Sequence, residues 1–324
     1  MRTILGAVTS LLGLGAAWVA SAQTFPSRPI TMIVPFAAGG PTDTIALTVA
    51  EGMQKALGKG VVIENVTGVA GSIGVDRVVQ AAPDGYSIGI GHWSTHVLNG
   101  AIYSLRYDLL NDLEPIAMIA SNPQFIISKS AVPANDLGEL IAWLKANPDK
   151  ALQGTAGTGS PSHVAGVYFQ NSTGTRFQFV PYRGGALTMQ ALLGGQIDLG
   201  FEQAANVLPH IRTGAIKPYA VTAKARLGVA PEIPTVDEAG LPGFYISVWH
   251  GLWAPRSTPK AVIATLNAAV VAALGDPATR QRLEQLGQDV PPRKDQTPEA
   301  LAAHQKAEIE KWWPIIKGAH IRVE

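Results

Sequence analysis

A mostly apolar run, Ile30 to Val34, ends in Pro35-Phe-Ala-Ala-Gly-Gly40. A short apolar run bounded by turn residues predicts a buried strand. Beyond the glycines the period changes. Ala46, Val49, Ala50, Met53 and Leu57 recur at three- and four-residue spacing, which predicts a helix to about Leu57. Gly40 suits its N-cap, Pro41 its first position, Asp43 its first turn and Gly58 its C-terminal cap. Such a junction turns amide N–H groups outward with the positive dipole end behind them, a ready seat for a carboxylate or phosphate. It is equally an ordinary strand–helix connection of an α/β domain.

The same alternation continues along the chain. Gly60 to Asn65 reads as a strand, Val75 to Ala81 as a helix stopped by Pro83-Asp-Gly85, and Tyr86 to Ile90 as the next strand, emptying into a polar and aromatic loop, Gly91-His-Trp-Ser-Thr-His96. This β-α-β-α-β order predicts a parallel sheet with any site at the strand C-termini. Ile116 to Ile119 and Gln124 to Ser128 lead toward a second lobe, where Leu137 to Ala146 is helical. There the opening device recurs: Leu152 to His163, with Ser160 as cap and Pro161 at the first helical position; Phe177 to Gly185; and Gln196 to Gln203 before a helix from Ala204 to Arg212. Ile216 to Thr222 is a further strand, Phe244 to Ala254 a strand crossing back, and the tail three helices starting at Pro259, Pro277 and Pro298. The expected division is 1–22 as an export signal, 23–123 with 248–324 as lobe 1, and 124–247 as lobe 2.

Arg2, the apolar stretch Ile4 to Val19 and Ala20-Ser-Ala22 fit a cleaved secretory signal, and no later stretch is apolar long enough to span a bilayer. A soluble, exported chain without membrane insertion is expected. With 324 residues and no cysteine, it has length for two lobes and no thiolate or disulfide chemistry. Lys and Arg total 25 against 24 Asp and Glu, a balance that falls to zero once Arg2 leaves with the signal. That argues against nucleic acid as a partner and makes any anion recognition local.

Catalytic templates fail in turn. Gly52 to Lys59 carries one residue too many for a P-loop and has Gly60 where a hydroxyl should follow. Thr158-Gly-Ser-Pro-Ser162 is not a nucleophile elbow, no pair of histidines is spaced for zinc on one helix face, and no Asp/Asn run makes a calcium loop. No catalytic residue, metal or cofactor is expected. What remains is a set of Gly, Ser and Thr turns opening helices on two lobes, and charge-assisted bonds from backbone N–H suit a carboxylate. Several residues have a plainer role available. His163 at a helix start reads as a cap or supporting donor, Arg183 as a surface residue or a ligand contact, and Trp93 as a lobe anchor or, favoured here, a cleft residue. Glu202 and Gln203 read equally as solvated loop residues. Trp249, Trp253, Trp312 and Trp313 read as packing.

Val34 to Asp43, Val62-Ile-Glu-Asn65, Gly68 to Gly74, Pro83-Asp-Gly-Tyr86, Gly157 to His163, Val180 to Gly184, Leu193 to Asp198, Ile233 to Gly240 and Trp249-His-Gly251 resemble the periplasmic solute receptors of tripartite tricarboxylate transporters, the Bug family. The resemblance spans nearly the whole mature chain. It implies a type II periplasmic-binding-protein fold, two α/β lobes around a central cleft joined by two crossing strands. It implies a non-enzymatic receptor that delivers a small-molecule carboxylate to a membrane permease; a monomer is expected. An exported hydrolase or a receptor presenting its ligand to a sensor kinase are the alternatives. The ligand residues it implies are Phe36, Ala37, Ala38, Gly39, Gly40 and Asp43; His92, Trp93, Ser94 and Thr95; Thr158, Gly159, Ser160 and His163; Tyr182, Arg183 and Gly184; and Phe201 with Glu202. Two departures stand out: Glu202 where the family usually has Asp, and the bulky Gly-His-Trp-Ser loop. An indole there would stack on an aromatic ring for about 0.5–1.5 kcal/mol beyond area burial, which favours an aromatic carboxylate such as terephthalate, with aliphatic dicarboxylates next.

Overall fold

The computed structural model describes residues 25–321; the expected export signal at 1–22 lies outside them. The first strand, β1 (Ile30–Val34), is buried on both faces as a parallel central strand requires. It feeds α1 (Pro41–Leu57), with Gly40 extended at the N-cap and Gly58 left-handed (φ 63°) at the C-terminal cap. Next come β2 (Val61–Asn65), α2 (Ser72–Val79), β3 (Ser87–His92) and the short α3 (Asn99–Ile102). The crossing strand β4 (Leu113–Lys129) leads to α4 (Leu137–Ala146), β5 (Leu152–Thr155), α5 (Pro161–Thr173), β6 (Gln178–Pro181), α6 (Gly185–Leu193), β7 (Leu199–Gln203), α7 (Ala204–Arg212) and β8 (Ile216–Val221). The returning strand β9 (Ser247–Pro255) is followed by α8 (Lys260–Gly275), α9 (Pro277–Gln285) and α10 (Pro298–Gly318).

All nine strands share one sheet, in the order β2-β1-β3-β9-β4-β7-β5-β6 with β8 also on β4. β4 changes partners along its length. Leu113 to Pro123 pair with β9, and Gln124 to Ser128 pair with β7 on one side while Phe125 to Lys129 pair with β8 on the other. The two apolar stretches read from the sequence are therefore one strand. Its interior prolines, Pro115 and Pro123, sit where the register shifts and where the partners change, the places a missing N–H is tolerated. β1 lies between β2 and β3, and β5 between β6 and β7, all parallel, so both halves aim strand C-termini at the same junction.

Helices cover both faces. α1 and α8 pack so closely that a Cβ on Gly52 would come within 2.6 Å of Ala273 Cβ, so only glycine fits that crossing. On the other face one core joins the two halves, running from Trp93 and Val97 through Trp249, Trp253 and Trp312 to Val164 and Phe169. Tyr168 of α5 meets Trp312 of α10 edge-on, with ring centres 5.1 Å apart. This is a two-lobed α/β fold with two crossing strands. Among the described residues, no single helix is long and apolar enough to cross a membrane.

Candidate functional site

Three strand-to-helix mouths follow the C-terminal ends of β1, β5 and β6. In the first, Asp43 is buried, and its carboxylate accepts the Gly39 amide (2.8 Å) and Asn65 Nδ2 (2.8 Å). Asn65 also donates to Phe36 O (3.0 Å), and Gly39 is left-handed (φ 78°). These contacts fold Phe36 to Gly40 into a fixed curl, with Ala37, Ala38 and Gly39 exposed at its rim. Asp43 thus shapes the first mouth from behind.

The second mouth opens α5. Ser160 Oγ accepts the His163 amide, and His163 Nδ1 accepts the Gly159 amide (3.0 Å), so the half-buried His163 is the supporting cap that its position suggests. The third mouth, at Gly184 (φ 110°) and Gly185, opens α6 beside it: Tyr182 donates its amide to Thr155 O (2.9 Å) at the end of β5. Thr158 and Arg183 are exposed. Among the described residues, the amides of Ala38 and Thr42, of Thr158, and of Gly185 and Ala186 donate to no protein acceptor. Each mouth therefore keeps free N–H groups at a positive helix end, the donor set a carboxylate needs.

The segment after β3 ties the mouths together, but not as the loop expected from sequence. Ser94 to Leu98 form a helical turn continuous with α3, and the whole segment is buried. Phe36 stacks on His92 (ring centres 4.7 Å apart, planes 9° apart), and Gly71 is wedged against Thr95 and Phe36. At its other end Ile102 touches the second mouth: a Cβ on Gly159 would lie 2.9 Å from Ile102 Cδ1. One short helical segment thus contacts the first mouth with its start and the second with its end. Gly159→Val adds bulk at this lobe-to-lobe contact and strains a backbone at φ 75°, at roughly 1–3 kcal/mol for the strain. It is expected to weaken ligand capture at least about tenfold by titration calorimetry and to enlarge the liganded radius of gyration in X-ray scattering. Unchanged values for both would contradict the contact.

Two of the residues expected at the ligand are core residues instead. Trp93 is fully buried and meets Trp312 edge-on, with ring centres 4.9 Å apart. Magnitudes explain the correction: truncating a buried indole costs about 3–5 kcal/mol, several times what stacking on a ligand returns. Phe201 is likewise fully buried, between Phe169 and Phe244. Ser94 and Thr95 are buried too, with Thr95 Oγ1 accepting the His92 amide and donating to His92 O.

Glu202 is buried at the end of β7. Its Oε2 accepts Asn206 Nδ2 (3.0 Å), while Oε1 has no partner. Burial pushes its carboxyl up to about 7, against the lowering pull of Asn206 and the Gln203 amide. Sequence reasoning missed the histidine cluster behind the first mouth. His92, His96 and His250 are all buried; His92 meets His250 edge-on, and Thr42 Oγ1 lies 3.3 Å from His250 Nε2. The 92/96 spacing was visible, but His250 arrives only through the β3–β9 register, which pairs it with His92. Also unforeseen is a cavity of about 1090 Å³ beside the crossing strands, lined by Trp249, Tyr245, His304 and Lys311 among others and by none of the residues expected at the ligand. Among the described residues, no three acidic or histidine side chains are grouped to hold a metal ion.

Residues 45–321 match the family profile described as "Tripartite tricarboxylate transporter family receptor". Among solved structures, the periplasmic binding protein BugD is similar at 39% identity and a TM-score of 0.79, over 92% of this chain and 100% of that one. MatC from Rhodopseudomonas palustris, solved with bound malate, is 38% identical with a TM-score of 0.79, over 90% of this chain and 100% of that one. Another R. palustris protein, Rpa4515, solved with adipate, is 30% identical with a TM-score of 0.81, over 92% and 100% of the two chains. The fold here is shared with all three of these structures. The chain belongs to the receptor family of the tripartite tricarboxylate transporters.

Proposed function

We propose that this receptor captures an aliphatic dicarboxylate between its lobes and delivers it to the membrane permease of a tripartite tricarboxylate transporter. The observation that carries the reading is the set of free amides at the mouths of α1, α5 and α6, the first and second of which both pack against the segment running from His92 to Ile102. Two separated groups of N–H donors suit a ligand with a carboxylate at each end, and closure strengthens each bond by excluding water. The malate and adipate bound by similar proteins agree in class.

The burial of Trp93 under Trp312 removes the indole that favoured an aromatic ring, so terephthalate ranks behind malate, succinate and adipate. Calorimetry against these three, with terephthalate, benzoate and citrate alongside, tests the order. An aliphatic dicarboxylate is expected to bind at least about tenfold more tightly than terephthalate. Tight binding confined to terephthalate, or to citrate, overturns the assignment. Delivery is tested by capture of the permease from membranes in the presence of the bound ligand.

A further inference from the structure

Resting on that reading, we propose that Glu202 meets the ligand as a neutral acid, donating from Oε1 to a ligand carboxylate, so that capturing a dicarboxylate takes up one proton from solvent.

The argument begins with position. Glu202 is 6% exposed and lies against the mouth of α6: a Cβ on Gly185 would fall 3.0 Å from its Oε2 and 3.3 Å from its Oε1. A side chain at residue 185 would strike the carboxyl, so the glycine is what lets the acid approach the free amides of Gly185 and Ala186. The carboxyl therefore sits beside free amides that attract an anion, while its own burial disfavours its charge. A ligand carboxylate drawn to the same mouth would bring a second negative charge to it, and two carboxylates sharing a site hold one proton between them.

No charged group acts on the Glu202 carboxyl itself. Across β4 the register partner is Phe125; from α7 comes Asn206, which holds Oε2; from the α6 mouth comes Gly185. Arg183, two positions before Gly185, is exposed and forms no ion pair among the described residues. Asp43 at the first mouth differs, since both its oxygens are taken by N–H donors, whereas Glu202 Oε1 is taken by none. The proton goes where an oxygen lacks a donor. Burial, against the lowering pull of Asn206 and the Gln203 amide, already holds the free carboxyl up at about 7, so the step needs only water as its source near neutral pH. In balance, solvent supplies H⁺ to the Glu202 carboxylate, and the O–H formed then donates to the ligand with no bond to carbon made or broken.

The test is titration calorimetry of the full mature chain with succinate and adipate from pH 6.5 to 9.5, in pairs of buffers with different ionisation heats. Above about pH 8 the native Kd is expected to rise about tenfold per pH unit, with one proton taken up in the buffer-dependent heat. Glu202→Gln, which keeps a donor and cannot ionise, is expected to bind with a pH-independent Kd and no buffer-dependent heat. The native heats decide the matter even if the variant misfolds. A flat native Kd with no buffer dependence, or a slope that survives in Glu202→Gln, overturns the proton while leaving the receptor reading intact. No dicarboxylate bound at any pH takes down that reading, and this one with it.

Discussion

Asp43→Ala is expected to weaken dicarboxylate capture by about a hundredfold or more. The carboxylate holds the first mouth through two bonds, to the Gly39 amide and to Asn65 Nδ2, each 2.8 Å long. Hydrogen bonds to a charged group contribute about 1.5–3 kcal/mol each, and every 1.4 kcal/mol is about tenfold in affinity. Alanine removes both and turns the Gly39 amide and one Asn65 N–H, both on exposed residues, over to solvent. Asn65 then loses one of its two anchors, the other being Phe36 O, and the curl from Phe36 to Gly40 is no longer fixed. The free amides of Ala38 and Thr42 would still exist, but they would no longer be held in one arrangement before the ligand comes. Asp43→Asn should fall between, since one amide oxygen can accept from Gly39 or Asn65 but not replace both. Calorimetry beside thermal unfolding separates the effects. An affinity within threefold of native for Asp43→Ala would mean that the first mouth does not grip the ligand.

The second large effect is acid lability well above the usual carboxylate range. Burial lowers His92 to about 4 and His96 to about 3, with the neighbouring His92 adding to the shift of His96, and burial drives His250 well below its ordinary value too. A histidine unfolds into water with a pKa near 6.5, so the unfolded chain binds more protons than the native one between 6.5 and these lowered values. Stability from these groups is complete above about pH 6.5 and is lost as pH falls toward 4. For His92 alone the shift corresponds to about 3 kcal/mol, at about 1.4 kcal/mol per unit. Glu202 works the other way, because its raised pKa makes the native state bind a proton that the unfolded chain releases, so stability rises as pH falls through about 7. Three histidines against one acid leave a net uptake of about two protons on unfolding between pH 6 and 5. Urea midpoints at half-unit steps from pH 7.5 to 4 check this, and Glu202→Gln should steepen the fall. A midpoint level down to pH 4.5 would contradict it.

Much of this architecture was legible along the chain because it rests on local signals. The bounds of α1 and α4 follow from apolar period and caps, and Ser160 with Pro161 marks the start of α5 in the structure as in the sequence. The crossing strands were visible as apolar stretches, although two prolines disguised β4 as two pieces. The segment after β3 was misread because its glycine and its polar His, Ser and Thr residues suggested a loop. Trp93, Val97, Leu98 and Ile102 in fact recur at helical spacing, all buried, and that period was the signal to follow.

What could not be read locally depends on tertiary neighbours. Trp93 is a core residue because Trp312, more than two hundred positions away, covers it. Glu202 looked like a loop acid and became a buried one when α6 and α7 closed over the end of β7. The cavity lined by Trp249 and Lys311 draws on the crossing strands and the terminal helix, with no motif of its own.

A crystal structure of the mature chain with succinate or adipate bound tests the central claim most directly. The prediction is one carboxylate within hydrogen-bond reach of the amides between Ala37 and Asp43 and the other within reach of those at Thr158 to Ser160 or Gly185 and Ala186. Density for the ligand in the cavity beside Trp249 and Lys311, with the three mouths empty, would contradict it.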